Sequence, residues 1–440
     1  MTPKTIRDIF YSVLKTAEKN IDLFVNKPGS DMTRHRKCSF TDTITSLLCF
    51  SMNRTNTELY NLFAIRNRPL PSKSAFTQQR KKFKLDFFPY LLDSFNTATP
   101  FKKTFKGFHL VAVDGSDINL PTDKNDFIYR VKQARSDSVF FQMHLNALYD
   151  ICEDRYLTAI TQPRPTLNES LAFCKMVDTC SMPDNTIFIA DRGYISYNTM
   201  AHLLDAHKFF LIRAKSPSSG GSFLRNILEN DKEVDVDISL KITRSKKKEI
   251  LQNPSKYRII KSYRDFEPIP RGDYKSMYIL NIRCTCIKLE DGNYEYLVSN
   301  LPRDTFSAKD LREIYWKRWA IETSFRSLKY ALSLVYLHSV NRELIIQEIF
   351  AKMMMYNFAS LIHVYANRVN NILKKHKKTK YKYKISFDDT VPIARDLLIR
   401  RIKNDIIKAL LLRHKTAIKV IPSPIRRVRS QTVKPLNNRA

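Results

Sequence analysis

The first hundred residues carry apolar side chains at helical spacing. The pattern i, i+3, i+4, i+7 and i+8 predicts an amphipathic helix near the start of the chain, and residues 44–50 repeat it. The apolar positions of the first helix are Ile6, Ile9, Phe10, Val13 and Leu14. A further segment, PSKSAFTQQRKKF at 71–83, begins with Ser72 or Ser74 as a helix N-cap. We therefore predict a helical region over residues 1–100.

From residue 107 the pattern changes to short apolar runs typical of strands. GFHLVAV is a β-branched run that ends at Asp114, and residues 140–149 and 155–161 predict two further strands. A helix is expected near 169–178, followed by the strand TIFIA that ends at Asp191, a helix at 197–206 and a strand at 209–212. Three consecutive strands followed by alternating helix and strand is the order of a ribonuclease H-like α/β fold.

Residues 215–300 interrupt this order with alternating segments at 256–263, 276–287 and 294–298. Asp291-Gly292 is a hairpin signal between the last two. Helical pattern resumes at 307–329 and 343–369. The expected organisation is an α/β core in two parts, 101–214 and 301–373, with a β-rich insertion at 215–300. A helical N-terminal region, 1–100, precedes this core, and a basic C-terminal region, 374–440, follows it.

The charge of the chain points to a polyanionic partner. Seventy-five Lys and Arg against 43 Asp and Glu give a formal charge of +32, and neutralising phosphates releases counterions. Residues 374–440 contain 20 Lys and Arg against 4 Asp, which is +16. There is no apolar run of roughly 18 residues to span a membrane, and the first 20 residues lack a signal-peptide pattern. We therefore expect a cytoplasmic protein without a membrane partner.

Two basic segments are candidate contacts to nucleic acid. Lys73, Arg80 and Lys81 lie on the predicted helix at 71–83, which is suited to lie on DNA or to remain a solvated amphipathic helix. In the C-terminal region, Lys residues interleave with Tyr381 and Tyr383, a pattern that suits phosphate contacts and stacking or a solubilising tail.

The seven cysteines and the histidines give no site by their spacing. The cysteines are odd in number, irregularly spaced and without a C-x-x-C pair, which indicates reduced thiols and not a zinc or disulfide framework. His109, His144 and His338 do not lie at a recognisable spacing from a nucleophile, so we interpret them as structural.

The candidate chemistry lies in three acidic residues. Asp114 and Asp191 each end a predicted strand, where an α/β sheet places its ligands. Glu322 lies on a predicted helix with Tyr315, Arg318 and Lys329. At roughly 100° per residue these four side chains project from one stripe about 60° wide. A carboxylate set of this kind suits Mg²⁺ or Mn²⁺.

The blocks around these residues resemble DDE transposases of bacterial insertion sequences, specifically the insertion-sequence-four family. The spacing Tyr-(2)-Arg-(3)-Glu-(6)-Lys is met at 315, 318, 322 and 329. VAVDGSDINLP and FIADRGY resemble the two Asp blocks, and PSKSAFTQQRKKF is similar to a segment upstream of the family's core. The resemblance covers residues 70 to 360.

The resemblance implies an enzyme that cuts element ends and joins them to target DNA by phosphodiester hydrolysis and transesterification. Asp114, Asp191 and Glu322 would be catalytic and would hold two Mg²⁺ ions, with Mn²⁺ as a possible substitute. Tyr315, Arg318 and Lys329 would bind phosphates near the cleaved end. Trp316 or Trp319 could stack on a flipped base, although a helical Trp is more often a core residue. The implied partners are the terminal inverted repeats, the target DNA and a second copy of the chain in a homodimeric synaptic complex. The implied location is the bacterial nucleoid.

Three alternatives remain open from the sequence. A haloacid-dehalogenase-like phosphatase would use Asp114 as a nucleophile, but that chemistry favours a second Asp at position 116, which is Ser. A DNA-binding regulator would leave the three carboxylates without a role. An inactive or domesticated transposase, acting as a DNA-binding protein, would keep the same motifs.

Overall fold

The computed structural model describes residues 1–33, 37–132, 138–374, 382–402, 404–413 and 415–418. Among them, five helices form the N-terminal region: α1 Pro3–Lys19, α2 Phe40–Cys49, α3 Thr55–Ile65, α4 Lys73–Arg80 and α5 Phe87–Ala98. Capping side chains fix the starts of three of them. Thr2 caps α1, Ser72 caps α4, and Ser39 with Asp42 forms a capping box on α2.

Four strands come next along the chain, and helices and strands then alternate. They are β1 His109–Leu120, β2 Arg130–Lys132, β3 Val139–Asp150, β4 Arg155–Pro163, α6 Glu169–Asp178, β5 Thr186–Ala190, α7 Tyr197–Asp205 and β6 Phe209–Ala214. In the sheet, β3 pairs antiparallel with β1, β2 and β4. On the other side of β1, β5 and then β6 run parallel to it. The sheet is therefore mixed. Along the chain, the mutually antiparallel strands β1, β3 and β4 come first, and β5 and β6, which run parallel to β1, follow.

The segment after β6 extends the same sheet. It contains β7 Val234–Thr243, α8 Lys248–Gln252, β8 Tyr257–Ile259, β9 Met277–Lys288 and β10 Tyr294–Ser299. β10 pairs antiparallel with β6, and β9, β7 and β8 follow outward from it. All ten strands of this sheet are thus hydrogen-bonded into one continuous layer.

Helices cover both faces of the sheet. The remaining elements are α9 Ala308–Lys317, α10 Trp319–Lys329, α11 Arg342–Lys374, β11 Lys382–Ile385, α12 Phe387–Leu398, α13 Asn404–Arg413 and β12 Lys415–Ile418. On one face, α9 packs on β6 and α10 packs on β1, while α11 joins the sheet to the N-terminal helices. On the opposite face, α6 and α7 pack over Val111, Val113 and Phe188.

Two of the long strands differ from the sequence predictions. β1 does not end at Asp114, because its antiparallel ladder with β3 continues to Leu120 after its pairing with β5 stops at Ala112. The strand β7 is absent from the sequence predictions, although residues 234–242 alternate apolar and polar side chains, because Asp235 and Asp237 are residues that strands disfavour. In the sheet Arg283 bonds both carboxylate oxygens of Asp235 at 2.7 Å, which satisfies that polar face.

The predicted helix at 307–329 is two helices. Its ladder breaks at Arg318, whose N–H bonds to the carbonyl of Tyr315, and whose own carbonyl accepts from Ile321. These three-residue bonds tighten the turn between α9 and α10.

The basic C-terminal region is described only in part. α12, α13 and the strands β11 and β12 fall within 374–440, whereas Tyr381 and the Arg-rich end from 419 lie outside the described residues. Within the described parts of the chain, we find no helix with the length and apolar character needed to cross a membrane.

Candidate active site

Asp114 and Asp191 meet on neighbouring strands. Ala112 of β1 pairs with Ile189 of β5 in parallel register, so two residues further along each strand bring the two aspartates to the same level. Strand alternation then directs both side chains toward the face that carries α9 and α10. This register therefore explains why the two acids lie close together.

The junction between α9 and α10 delivers the third carboxylate. The Tyr315 hydroxyl donates to Asp191 Oδ1 at 3.0 Å. Arg318 donates through Nη1 to Asp114 Oδ2 at 3.3 Å and through Nη2 to Glu322 Oε1 at 2.9 Å. Tyr315, Arg318 and Glu322 on this helix pair therefore face the two aspartates, and Arg318 lies between two of the three acids.

The electrostatics of this cluster are those of acids held close together. Burial raises the pKa of Asp114 to about 6, while Arg318 and the Gly115 N–H act in the opposite direction. Glu322 and Asp191 add to the rise because carboxylates repel one another. The Arg318 side chain is 4% exposed, and this buried cation is set against three acids. An all-oxygen site with excess negative charge fits a hard divalent cation such as Mg²⁺.

Lys329 lies at the far end of the stripe. Burial lowers the pKa of its ammonium group, and Asp117 acts against that decrease. Lys329 is thus partly buried beside a different acid from those that contact Tyr315 and Arg318.

The histidine and acids beside the continuation of β1 are residues that sequence reasoning missed. His144 Nδ1 lies 2.6 Å from Asp117 Oδ1, and its Nε2 lies 3.1 Å from Glu169 Oε1 without the alignment of a hydrogen bond. Burial acts to lower the pKa of His144, but the two acids outweigh it and raise that pKa. The sequence interprets His144 as structural, and only the pairing of Asp117 with His144 across β1 and β3 shows its place.

His144 can lie beside Asp117 and Glu169 because residue 115 is a glycine. A Cβ built on Gly115 would be 2.8 Å from His144 Cε1 and nearer still to Nε2. On the adjoining segment, a Cβ on Gly193 would be 3.7 Å from Glu169 Oε2, which is ordinary contact. The pair His144 and Glu169 therefore packs beside two glycines that closely follow the candidate catalytic aspartates.

Of the three predicted DNA contacts on or next to α4, two are exposed and one is not. Lys73 and Lys81 lie at the surface. Arg80 is 2% exposed and bonds Glu348 Oε1 at 3.0 Å and the carbonyl of Leu344 at 2.6 Å. The interpretation of Arg80 as a DNA contact was wrong, because its guanidinium joins α4 to α11 inside the protein.

The two tryptophans line a cleft on the α9–α10 junction. Its volume is about 660 Å³, and Lys103 and Phe105 contribute to its wall. Trp316 is 61% exposed, so it is not a core residue. Trp319 is half-buried, and the Arg318 guanidinium lies 5.2 Å from the centre of its ring.

Comparisons with known proteins give a family match and similar solved structures. Residues 106–358, more than half of the chain, match the family described as "Transposase DDE domain". Among the similar structures is a cryo-EM structure of a piggyBac transposase synaptic complex with hairpin DNA, at 12% identity and a TM-score of 0.41. That similarity covers 96% of this chain and 86% of the other. No curated protein matches the chain.

Proposed function

The chain belongs to the transposase DDE domain family, and from that premise we propose that it is the transposase of a bacterial insertion sequence. It would cut the ends of its element and join them to target DNA by hydrolysis and transesterification of phosphodiester bonds. One observation carries this proposal: Asp114 and Asp191 lie at the same level of adjacent strands, and the helix pair with Arg318 and Glu322 closes over them.

The finer assignment is to the insertion-sequence-four family. Its support is the Tyr315, Arg318, Glu322 and Lys329 spacing together with their common position on α9 and α10. The order of β1, β3, β4, β5 and β6 supports a ribonuclease H-like core over 101–214 and 301–373. Residues 215–300 would be an insertion within it, whose strands continue the sheet.

Asp114, Asp191 and Glu322 would hold two Mg²⁺ ions, or Mn²⁺ in their place. When bound, such ions activate the attacking oxygen and stabilise the charge on the leaving oxygen. The fit rests on the charge balance of the site, in which three acids surround the buried Arg318.

The remaining site residues would position these acids and the DNA end. Tyr315 orients Asp191 through its hydroxyl. Arg318 holds Asp114 and Glu322, and a guanidinium fork of this kind also suits a phosphate. Lys329 would contribute a point charge to the DNA backbone. Trp319, at the edge of the adjacent cleft, would offer a stacking surface for a base.

The helical region 1–100 would bind DNA through the exposed side chains of Lys73 and Lys81. The terminal inverted repeats and the target are the expected DNA partners, with the protein acting in the bacterial nucleoid as a homodimer once two ends are synapsed. Replacing both lysines by alanine should weaken DNA binding and reduce the salt slope by about 1 for each phosphate that is no longer neutralised. An unchanged slope would exclude α4 from the interface.

Metal-dependent cleavage of the element's terminal repeat tests the chemistry. Asp191→Ala should lower the cleavage rate by about 10³-fold or more, since the charge stabilisation that it removes is worth several kcal/mol. Asp184→Ala is the matched control, because Asp184 is an exposed acid just before the other end of β5 that pairs with Lys208. Equal activity in Asp191→Ala and Asp184→Ala would overturn the assignment. A wild-type protein that binds ends and does not cut them with Mg²⁺ or Mn²⁺ would favour an inactive or domesticated transposase.

A further inference from the structure

Three potential metal ligands of different chemistry converge on the face of the sheet opposite α9 and α10. Cys174 Sγ, a nitrogen of His202 and a carboxylate oxygen of Glu267 all lie within 4.8 Å of one another. Their positions along the chain do not indicate a site, because the three residues come from α6, from α7 and from the loop between β8 and β9. Only the packing of these segments brings them together.

The two helices present matched pairs of side chains to the loop. Cys174 and Asp178 are four residues apart on α6, and Asn198 and His202 are four residues apart on α7, so each pair shares one helix face. His202 Nδ1 lies 2.7 Å from Glu267 Oε2, and its Nε2 lies 2.9 Å from Asp178 Oδ1. His202 is thus held in one orientation by an acid on each side.

Glu267 is positioned independently of the histidine. Its backbone N–H donates to Asn198 Oδ1 at 2.7 Å, and its Oε1 accepts from Asn198 Nδ2 at 2.9 Å. The neighbours Phe266 and Ile269 are buried. Arg244 further anchors the loop by donating to the carbonyl of Ile269. The loop therefore presents Oε2 from an anchored backbone.

We propose that Cys174 Sγ, His202 Nδ1 and Glu267 Oε2 bind a transition-metal dication of the zinc class, at a site separate from the candidate active site. Sulfur, imidazole and carboxylate together are ligands that select zinc over magnesium or calcium. Asp178 would accept the remaining N–H of His202, which is the arrangement that orients metal-bound histidines. Water would complete the coordination.

The geometry needs only small movements. Tetrahedral bonds of about 2.0–2.3 Å place ligand atoms roughly 3.3–3.8 Å apart. The contact between His202 and Glu267 would open slightly, and Cys174 Sγ, a ring nitrogen of His202 and a Glu267 oxygen already lie within 4.8 Å of one another. On binding, the thiol proton and any proton on Nδ1 pass to solvent. Burial, with Glu267 and Asp178, raises the pKa of Cys174 to about 12, so the thiolate forms only with the charge of the cation beside it.

Such a site would tie the β8–β9 loop to α6 and α7. These two helices follow β4 and β5, and α6 begins with Glu169, the acid beside His144. The cation would therefore cross-link the extended part of the sheet to the layer beneath the candidate active site.

Titration of the full chain with Co²⁺ tests the proposal, because a cobalt–thiolate bond gives a near-ultraviolet charge-transfer band that oxygen ligands cannot give. We expect one equivalent of Co²⁺ to produce this band and Zn²⁺ to displace it. Cys174→Ser should abolish the band, and Cys284→Ser, which removes an equally buried thiol on β9, should keep it. His202→Gln and Glu267→Gln should weaken binding at least tenfold, and Asp178→Asn by about 10- to 100-fold.

Thermal unfolding provides an independent measurement if a variant binds poorly because it is unstable. Zn²⁺ should raise the Tm of the wild-type protein and of Asp191→Ala alike, and should raise the Tm of Glu267→Gln by clearly less. The same shift in Glu267→Gln, no charge-transfer band in the wild type, or a band that survives in Cys174→Ser would each overturn the proposal. The group would then be a plain ion pair beside a buried thiol.

Discussion

Gly115→Ala would place one methyl group where the structure has no room for it. The added Cβ would lie 2.8 Å from His144 Cε1 and nearer still to Nε2, well inside ordinary contact. Gly115 does not have a left-handed backbone, so alanine brings no conformational strain of its own. The effect of the substitution is therefore steric.

The magnitude follows from how His144 is held. Its ring is buried, and its Nδ1 lies 2.6 Å from Asp117 Oδ1. Forcing a methyl into a packed site costs about 1–3 kcal/mol, and losing a hydrogen bond to a charged group costs about 1.5–3 kcal/mol. We expect a total of about 3–5 kcal/mol if the ring moves. If β1 moves instead, Asp114 moves with it, and a misplacement of about 1 Å lowers the rate by about 10²-fold.

Two assays separate these outcomes, and Gly193→Ala is the matched control for both. Urea unfolding measures the free energy of unfolding, and metal-dependent cleavage of the terminal repeat measures the site. Gly193→Ala should behave as wild type, because its Cβ would lie 3.7 Å from Glu169 Oε2. In the double variant Gly115→Ala/His144→Ala, the loss of stability should be smaller than the sum of the two single losses by about 2 kcal/mol.

Gly115→Ala that unfolds and cleaves like Gly193→Ala would refute this reasoning. Additive losses in the double variant would show that His144 is not the obstacle, and that Gly115 is required for another reason.

Three further predictions concern single side chains. Tyr315→Phe removes the donor to Asp191 and should lower cleavage about tenfold or more, with end binding retained; an unchanged rate would remove its orienting role. Arg80→Ala should destabilise the fold by about 3–5 kcal/mol in urea unfolding, because it leaves the buried Glu348 without its guanidinium partner. Burial would raise the pKa of Glu348, but Arg80 and His338 hold it at about 2. The stabilisation of the fold by the Glu348 carboxylate is therefore present above pH 4.5 and disappears toward pH 2. An Arg80→Ala variant that loses stability with falling pH as the wild type does would contradict the pairing. Burial lowers the pKa of Lys352 to about 7. Stability should therefore rise between pH 7 and about 10.5, where the unfolded chain still binds the proton that the folded protein has released, and Lys352→Met should abolish that slope.

The elements that carry the site could be predicted from the sequence better than their connections. TIFIA and the helix at 169–178 have the predicted bounds, because short apolar runs and an Asn168 cap define them locally. The end of β1 and the break at Arg318 depend on partners far away along the chain, which local pattern does not contain. Arg80 shows the same limit, since a basic residue on a basic helix looks exposed until α11 covers it.

The residues of the site could likewise be predicted better than the contacts between them. Asp114, Asp191 and Glu322 could be named from their motifs, and Tyr315 and Arg318 from the helix stripe. Their contacts could not, because an arginine that bridges two acids and a tyrosine that donates to the third depend on the register of β1 against β5. His144 was beyond local reasoning altogether, since its acidic partners lie 27 and 25 residues away in sequence.

The pairing of β6 with β10 has a consequence for how the chain folds. About eighty residues separate the two strands, yet Ser299 lies opposite Leu211 in the sheet. Such a ladder is non-local, and loop closure must precede any stabilisation from its hydrogen bonds. During synthesis, β1 and β5 can pair as soon as residue 190 has emerged. β10, which pairs with β6, and α10, which carries Glu322, follow more than a hundred residues later. The acids of the sheet are therefore assembled early, and the third acid arrives last.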